Sequence, residues 1–548
     1  MARDLKTDME TLRTVLNFAQ NRDFQRAAEL AERTLASGFE HPLLLNVLAT
    51  RLEQQGRLEE ALRLLQRAVS ISPGDVPARN ALALCLQRLD RPAEALAHVD
   101  EILKHHPELG FAHAGKGNAL IALGALGRAK LSHLRALELE PDNLAAIVAL
   151  ASIATHRGEH HEARGWAEQA LAASPGFPDA LLSLAAAELA AGATGRAETL
   201  LHQLIVDMRA GPSDRARASG LLGDVLDAAG RYGEAFDAYT DCNESLRRIH
   251  GRFADGTSTL EYAKALTAAI GAVDPRHWMP RPTPRPEPGP ESSSGDPLGH
   301  VFLIGFPRSG TTLLEVVLDG HPAVASIEEH ELLTDGVLKF MREPLNLDPL
   351  LRADEEELRA LRAAYWEHVR NAGIEVAGKV FIDKHPLNTL KLPLIARLFP
   401  GAKVLFALRD PRDVVFSCFR RRFKMNHAMY ELLTLRGAAE FYAAVMEFAH
   451  RIRPLAGLDW RDVRYETLVA DFAGETRAIC GFLGLDWTAG MVDFASRVQL
   501  REHATPSTAQ LARGLDKSSM DQWQHYAAQL QPTFPVLRPW VERLGYPE

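Results

Sequence analysis

Two patterns of apolar residues divide the 548-residue chain near its middle. In the first half, Ala- and Leu-rich stretches recur with a fixed step: Ala27, Ala61, Ala95, Ala129, Ala163 and Ala197 are each 34 residues apart. Gly56, Gly124, Gly158 and Gly192 keep the same register, with Asp90 at the one non-Gly position, and so do Pro73, Pro107, Pro141 and Pro175. Three residue types sharing one period predict stacked helix pairs. The Gly ends one helix in a tight turn, the Ala lets two antiparallel helices approach, and the Pro stops the second helix. A further unit, Gly230 to Ala235, starts 38 residues after Gly192, so an insertion around Arg209 to Arg215 interrupts about seven units between residues 9 and 250.

After His300 the apolar residues gather instead into short β-rich runs at 301–304, 380–382, 404–408 and 463–465. Helical stretches at 387–398, 413–423, 438–451 and 476–483 alternate with them. That alternation predicts a parallel sheet covered by helices on both faces, with ligands at the carboxyl ends of the strands. Between the halves, Pro280 to Pro290 alternates proline with polar residues and is followed by Ser292, Ser293, Ser294 and Gly295. Such a stretch cannot build a packed core and reads as a linker, extended in its proline part; a ligand for a proline-binding domain is the minor reading. The expected division is a repeat array over 1–270, a linker over 271–299 and an α/β domain over 300–548.

Composition narrows the function. Apolar residues are 46% and charged residues 24%, the balance of a globular protein, and a net charge of -9 argues against nucleic-acid binding through an overall basic surface. Cys85, Cys242, Cys418 and Cys480 lack zinc-knuckle or redox spacing and read as buried thiols, so no metal is implied. With neither a signal-peptide core nor a membrane-length apolar run, a cytoplasmic location is the expectation.

The repeats, in segments such as Gln55-Gly56-Arg57-Leu58-Glu59-Glu60-Ala61, resemble the tetratricopeptide repeat, although the family's first-helix aromatic positions are mostly Leu or Ala here. Stacked repeats of this kind imply a groove for a peptide or protein. In the second half, Val301 to Gly305 runs into Phe306-Pro307-Arg308-Ser309-Gly310-Thr311-Thr312, a strand, a phosphate-cradling loop and a helix start. Gly305-x-x-x-x-Gly310 has Walker A spacing, but Thr311 stands where a nucleotide triphosphatase needs Lys, and Arg308 supplies the cation instead. About 100 residues on, Arg409 ends a strand and Ser417 lies inside the following helix, a pair suited to a phosphate monoester.

Residues 307–314 closely resemble the 5′-phosphosulfate loop of sulfotransferases, and Arg409 with Ser417 resembles their 3′-phosphate segment. The resemblance implies a P-loop-like α/β sulfotransferase domain whose co-substrate is 3′-phosphoadenosine 5′-phosphosulfate. Donor contacts would come from Arg308, Ser309, Gly310, Thr311, Thr312, Arg409 and Ser417. Glu328-Glu329-His330 and Asp383-Lys384-His385-Pro386 resemble the tyrosylprotein sulfotransferase branch. There the residue matching Glu329 is the general base, the one matching Arg308 stabilises the transition state, and the one matching Lys384 contacts the sulfuryl oxygens; Glu328 and His330 compete with Glu329 as base. Tyr465 matches a family Tyr near the adenosine, and equally reads as the end of a core strand. Ser507 and Arg513 lie in a segment resembling the loop that closes over the nucleotide, although Ala512 stands where a basic residue is usual. Trp523 and Tyr526 read as packing, and Arg420, Arg421 and Arg422 as a solvated helical charge run that could also widen the positive field.

The leading expectation is therefore a sulfotransferase acting on a hydroxyl or phenol, protein tyrosine included, with the repeats binding or orienting the acceptor. A repeat scaffold with a non-catalytic nucleotide-binding domain, and a P-loop kinase or NTPase, are the alternatives. Neither nucleic acid nor a membrane span enters any of these readings.

Overall fold

The computed structural model describes residues 5–21, 23–274, 278, 297–495, 515 and 517–547; these form two compact units, one ending at Ala191 and one beginning at Gly192. The first unit stacks helix pairs, beginning with Leu5–Gln20 and Phe24–Ala36, then Pro42–Gln54 and Leu58–Ile71, and continuing to Pro178–Ala190. Ala27, Ala61, Ala95, Ala129 and Ala163 are 0% exposed, so any larger side chain at the period would force the helices apart. Gly56, Gly124 and Gly158 turn with φ of 72–79°, and Asp90 takes the same left-handed conformation at 58°, which Asp tolerates better than most residues. Asp75 and Asn143 start helices by accepting from the N–H groups of Ala78 and Ala146.

The second unit opens with helices Thr194–Val206, Pro212–Ala228, Tyr232–Ile249 and Thr259–Ala272. The middle two form a hairpin held by Tyr239, whose hydroxyl donates to Asp224 at 3.0 Å and whose ring leaves no room for a Cβ at Gly223. Helix Thr259–Ala272, inside the span read from sequence as repeat array, sends Leu260, Ala263, Leu266 and Ile270 into the core of the sheet that follows.

That sheet has strands β1 (Gly299–Gly305), β2 (Val324–Glu328), β3 (Val380–Lys384), β4 (Lys403–Leu408) and β5 (Asp459–Arg464), all parallel, in the order β2-β3-β1-β4-β5. Successive β1 side chains point to opposite faces: Phe302 and Ile304 join the core under helix Leu435–Ala456, while Val301 and Leu303 join the one under helices Thr311–Leu318 and Phe472–Leu483. Both faces are thus covered, and central β1 has neighbours on either side, the arrangement that opens a crevice at its carboxyl end. β2 was not expected; an edge strand reading Val-Ala-Ser-Ile-Glu has no apolar run to announce it.

The helix expected over 413–423 spans Pro411–Phe419 instead, and the side chain of Asn243 donates to the Phe419 carbonyl at its end at 2.8 Å. Arg420 to Arg422 therefore lie beyond the helix and are partly buried, which corrects their reading as a solvated helical face. Most of the proposed linker, together with Ser507 and Arg513, lies outside the described residues. No helix among the described residues is long and apolar enough to cross a membrane.

Candidate active site

Four strand ends converge. β1 runs into the loop 306–310 and the helix Thr311–Leu318, β2 ends at Glu328 just before Glu329, β3 at Lys384, and β4 just before Arg409. The loop is shaped by its glycines. A Cβ on Gly305 would stand 2.7 Å from the Ala407 carbonyl oxygen; one on Gly310, at φ 97°, would stand 2.8 Å from the Tyr465 ring. Thr389 closes the loop from below, its hydroxyl donating to the Gly305 carbonyl at 2.7 Å and accepting from the Gly305 N–H at 3.1 Å.

A cavity of about 540 Å³ opens here. Of the residues singled out by sequence, Arg308, Gly310, Thr311, Thr312, Glu329, Arg409 and Tyr465 line it. Ser309, within the loop, is buried and does not line the cavity, and Ser417 is buried where its hydroxyl accepts from Arg308 Nε at 3.1 Å. Apolar walls come from Tyr262, Val337, Met341, Leu387, Phe423 and Met429. Tyr262 is fixed by a 2.9 Å bond from its hydroxyl to the Met341 carbonyl.

Lys384 is enclosed rather than presented. It is 0% exposed, and its Nζ lies 2.7 Å from Glu328, 3.0 Å from Glu329 and 3.5 Å from Glu315. Burial works against its charge, but the three carboxylates outweigh it and raise its pKa. The same contact acts on Glu329: the burial of part of its carboxylate's surroundings favours the neutral acid, yet Lys384, with His385 and Arg308 behind it, draws its pKa below the usual carboxylate value. Glu329 is the member of the 328–330 run that lines the cavity. The His330 ring shares a 2.8 Å hydrogen bond with the Glu328 carbonyl. Glu331, salt-bridged to His385 at 3.3 Å and to Lys391 at 2.5 Å, also faces the cavity; the hydrogen bond from His385, reinforced by Lys391, takes its pKa down to about 2.

Cations dominate the neighbourhood of the loop. Burial, then the charges of Arg421 and Arg409, push the Arg308 pKa down. Arg409 stacks on the Tyr465 ring at 4.9 Å, donates to the carbonyls of Arg308 and Ser519, and keeps a buried Nε with no hydrogen-bond partner. Tyr465 begins the helix Tyr465–Ala470 rather than ending β5, and its hydroxyl meets Ser519 at 2.6 Å.

Sequence reasoning missed Glu315 and Thr389, which bear on the site from neighbouring elements without any motif of their own. It also missed a buried network beside Lys384: the Tyr365 hydroxyl donates to Asp383 at 2.9 Å, and the Asn388 amide donates to the same carboxylate at 3.2 Å. Burial pushes the Asp383 pKa up to about 6.

Residues 300–489 match the family model described as Sulfotransferase family, and residues 12–76 and 52–109 match tetratricopeptide repeat models. An uncharacterized protein of Aquifex aeolicus is 24% identical over 442 residues, covering 75% of this chain, which spans 53% of that protein's length. Protein-tyrosine sulfotransferase 1 of Danio rerio is 27% identical over 259 residues, 45% of this chain and 72% of that protein. The solved sulfotransferase domain of the Synechococcus PCC 7002 olefin synthase is 23% identical with a TM-score of 0.33, covering 45% of this chain and 95% of that one. The chain thus joins tetratricopeptide repeats to a sulfotransferase-family domain with a five-stranded parallel sheet.

Proposed function

We propose that this protein transfers a sulfuryl group from 3′-phosphoadenosine 5′-phosphosulfate to a hydroxyl or phenol, a tyrosine side chain being one acceptor of that class. The observation that carries the reading is a single cavity lined both by the cationic loop, with Arg308, Thr311, Thr312 and Arg409, and by the carboxylate of Glu329. The unpaired, buried Nε of Arg409 and the gathering of Arg308, Arg409 and Arg421 at the loop fit an anionic donor. Domain limits of 1–270, 271–299 and 300–548 belong to the same proposal, with Tyr262 from helix Thr259–Ala272 walling the cavity.

In this scheme the loop N–H groups and Arg308 hold the phosphosulfate, and Arg409 and Ser417 the 3′-phosphate. An acceptor oxygen lone pair attacks sulfur; the new O–S bond forms as the S–O bond to the 5′-phosphate breaks, and the electron pair remains on the departing phosphate oxygen. The acceptor proton passes to Glu329. A carboxylate of lowered pKa is a weak base, so the scheme requires the surrounding cations to acidify the acceptor hydroxyl as well. Lys384, within 3.0 Å of Glu329, orients that carboxylate and supplies positive charge to the reacting centre. The repeats are read as binding or orienting the acceptor.

The test is incubation with radiolabelled donor and a panel of tyrosine peptides, glycans and phenols. Label on an acceptor that disappears in Glu329→Ala and Arg308→Ala supports the proposal. Donor binding without transfer across the panel supports a non-catalytic scaffold, and Mg²⁺-dependent ATP hydrolysis a P-loop NTPase.

A further inference from the structure

The repeat hairpin formed by helices Pro212–Ala228 and Tyr232–Ile249 reaches the back of the donor site. Asn243, 2% exposed, caps the Phe419 carbonyl at the end of the helix that carries Ser417. Asp224 pairs with Arg422 at 2.7 Å while accepting from the Tyr239 hydroxyl, and Gly220 leaves space that the Arg422 side chain fills. Asp227 lies 3.7 Å from Arg420 and accepts from the Tyr526 hydroxyl. Phe236 stacks on Phe419 at 5.4 Å, Tyr239 meets Phe416 edge-on, and Tyr526 packs on Phe416 at 4.1 Å with the rings tilted by 32°.

Arginines gather around this contact: Arg409, Arg420 and Arg422 lie by Asp413, Asp227 and Asp224, and Arg421 is within electrostatic reach of Arg308. Arg409, Arg420 and Arg421 each retain a buried Nε without a hydrogen-bond partner, and Arg422 a buried Nη1. Unpaired buried donors on cations are costly, and a phosphate monoester, with a charge of about −1.5 to −2 and three acceptor oxygens, would supply acceptors for them.

We propose that Asp224, Asp227 and Asn243 of this repeat hairpin are positioning residues for the donor site, holding the segment from Ser417 to Arg422 so that the arginine cluster serves the donor's 3′-phosphate. The last repeat is then a structural part of nucleotide recognition in addition to any acceptor binding by the array. The inference rests on the sulfotransferase reading, and the experiment separates the two.

Full-length protein is titrated calorimetrically with 3′-phosphoadenosine 5′-phosphate and with adenosine 5′-phosphate, which lacks the 3′-phosphate. Wild type is expected to prefer the first. In Asp224→Asn and Asn243→Ala that preference should fall by about tenfold or more, the loss of one charge-assisted contact, with adenosine 5′-phosphate affinity held within about twofold. Tyr239→Phe, which removes one hydroxyl, should give a smaller fall in the same direction, and Asp224→Glu a partial recovery. Neutralising Asp224 makes the neighbourhood more positive, so electrostatics alone would tighten phosphate binding; a loss isolates positioning. Unchanged or tighter discrimination, or equal weakening of both nucleotides, overturns the inference alone. Failure of wild type to bind either nucleotide overturns the sulfotransferase reading and the inference with it.

Discussion

Replacing Lys384 by Met removes the one cation among three carboxylates while nearly preserving side-chain volume. Lys384 is 0% exposed and Glu315 2%, whereas Glu328 and Glu329 are 17% and 50% exposed, so Glu315, the most enclosed of the three, bears the largest cost. Breaking a buried ion pair by deleting one partner costs about 3–5 kcal/mol. At about 2.1 cal/mol/K of unfolding entropy per residue over a unit of roughly 350 residues, that lowers the melting temperature by roughly 4–7 °C near pH 8. In wild type the raised Lys384 pKa gives stability that is whole below the ordinary lysine value and lost only as pH rises through the folded value. The depressed Glu329 pKa gives stability present above the ordinary carboxylate value and lost as pH falls through the folded one. Neither changes much between about pH 8 and about pH 5. In the variant, mutual repulsion and burial favour protonation of one carboxylate on acidification, so the gap from wild type should narrow. Tryptophan fluorescence is a suitable probe, since six of the seven tryptophans, all but Trp166, follow residue 274. A gap below about 2 °C near pH 8, or one that widens on acidification, would refute the enclosure of Lys384 as the organising contact.

Four further outcomes are expected. Glu329→Gln should slow single-turnover transfer by about 100- to 10,000-fold with donor affinity little changed, whereas Glu328→Gln, off the cavity wall, should cost less than about tenfold. Gly310→Ala places a Cβ 2.8 Å from Tyr465 at φ 97°, and calorimetry should show donor binding weakened by roughly 5- to 30-fold, equivalent to about 1–2 kcal/mol of strain. Thr389→Val strands both polar groups of Gly305 and should destabilise the protein by about 1–3 kcal/mol in urea unfolding followed by fluorescence. Saturating 3′-phosphoadenosine 5′-phosphate at about 100 times its Kd should stabilise the folded state by about 2.7 kcal/mol, an increment that shrinks with added salt and is lost in Arg409→Met.

What could be read from sequence was local. The 34-residue alanine period and the strand–loop–helix at 301–318 carry their structural cause in adjacent residues, and the helix pairs and the anion loop are legible for that reason. Glu329 and Lys384 could be named as candidates, but their contact joins β2 to β3 across 55 residues, and nothing local in the helix Thr311–Leu318 marks Glu315 as a third partner. Arg420 to Arg422 look like a solvated face because their partners, Asp224 and Asp227, lie almost 200 residues earlier on what reads as an ordinary repeat surface. β2 was illegible for a different reason: its pairing with β3 supplies the strand geometry that its composition does not.

Backbone strain offers a separate line to the same residues. Among the described residues, the non-glycine positions at positive φ are Asp90, Arg308, Glu329 and Asp521. Asp90 replaces a glycine in a repeat turn, where a short polar side chain suits the left-handed region. At Asp521 a reason is visible, because its N–H and that of Trp523 both donate to Asp413, which also lies 3.7 Å from Arg409. Arg308 and Glu329 have no such turn chemistry of their own, and each left-handed conformation costs about 1–2 kcal/mol for a residue with a long side chain. Arg308 sits in the loop that follows β1 and Glu329 directly follows β2, both line the cavity, and each is held from outside: Arg308 by Ser417 and by Arg409 on its carbonyl, Glu329 by its N–H on the Lys384 carbonyl at 2.7 Å. Strain of this kind persists only where the surroundings over-determine it. That the two costliest backbone conformations fall on the proposed transition-state cation and the proposed base therefore argues for the site independently of any motif, since a fold under no demand at the cavity would have placed glycine at both.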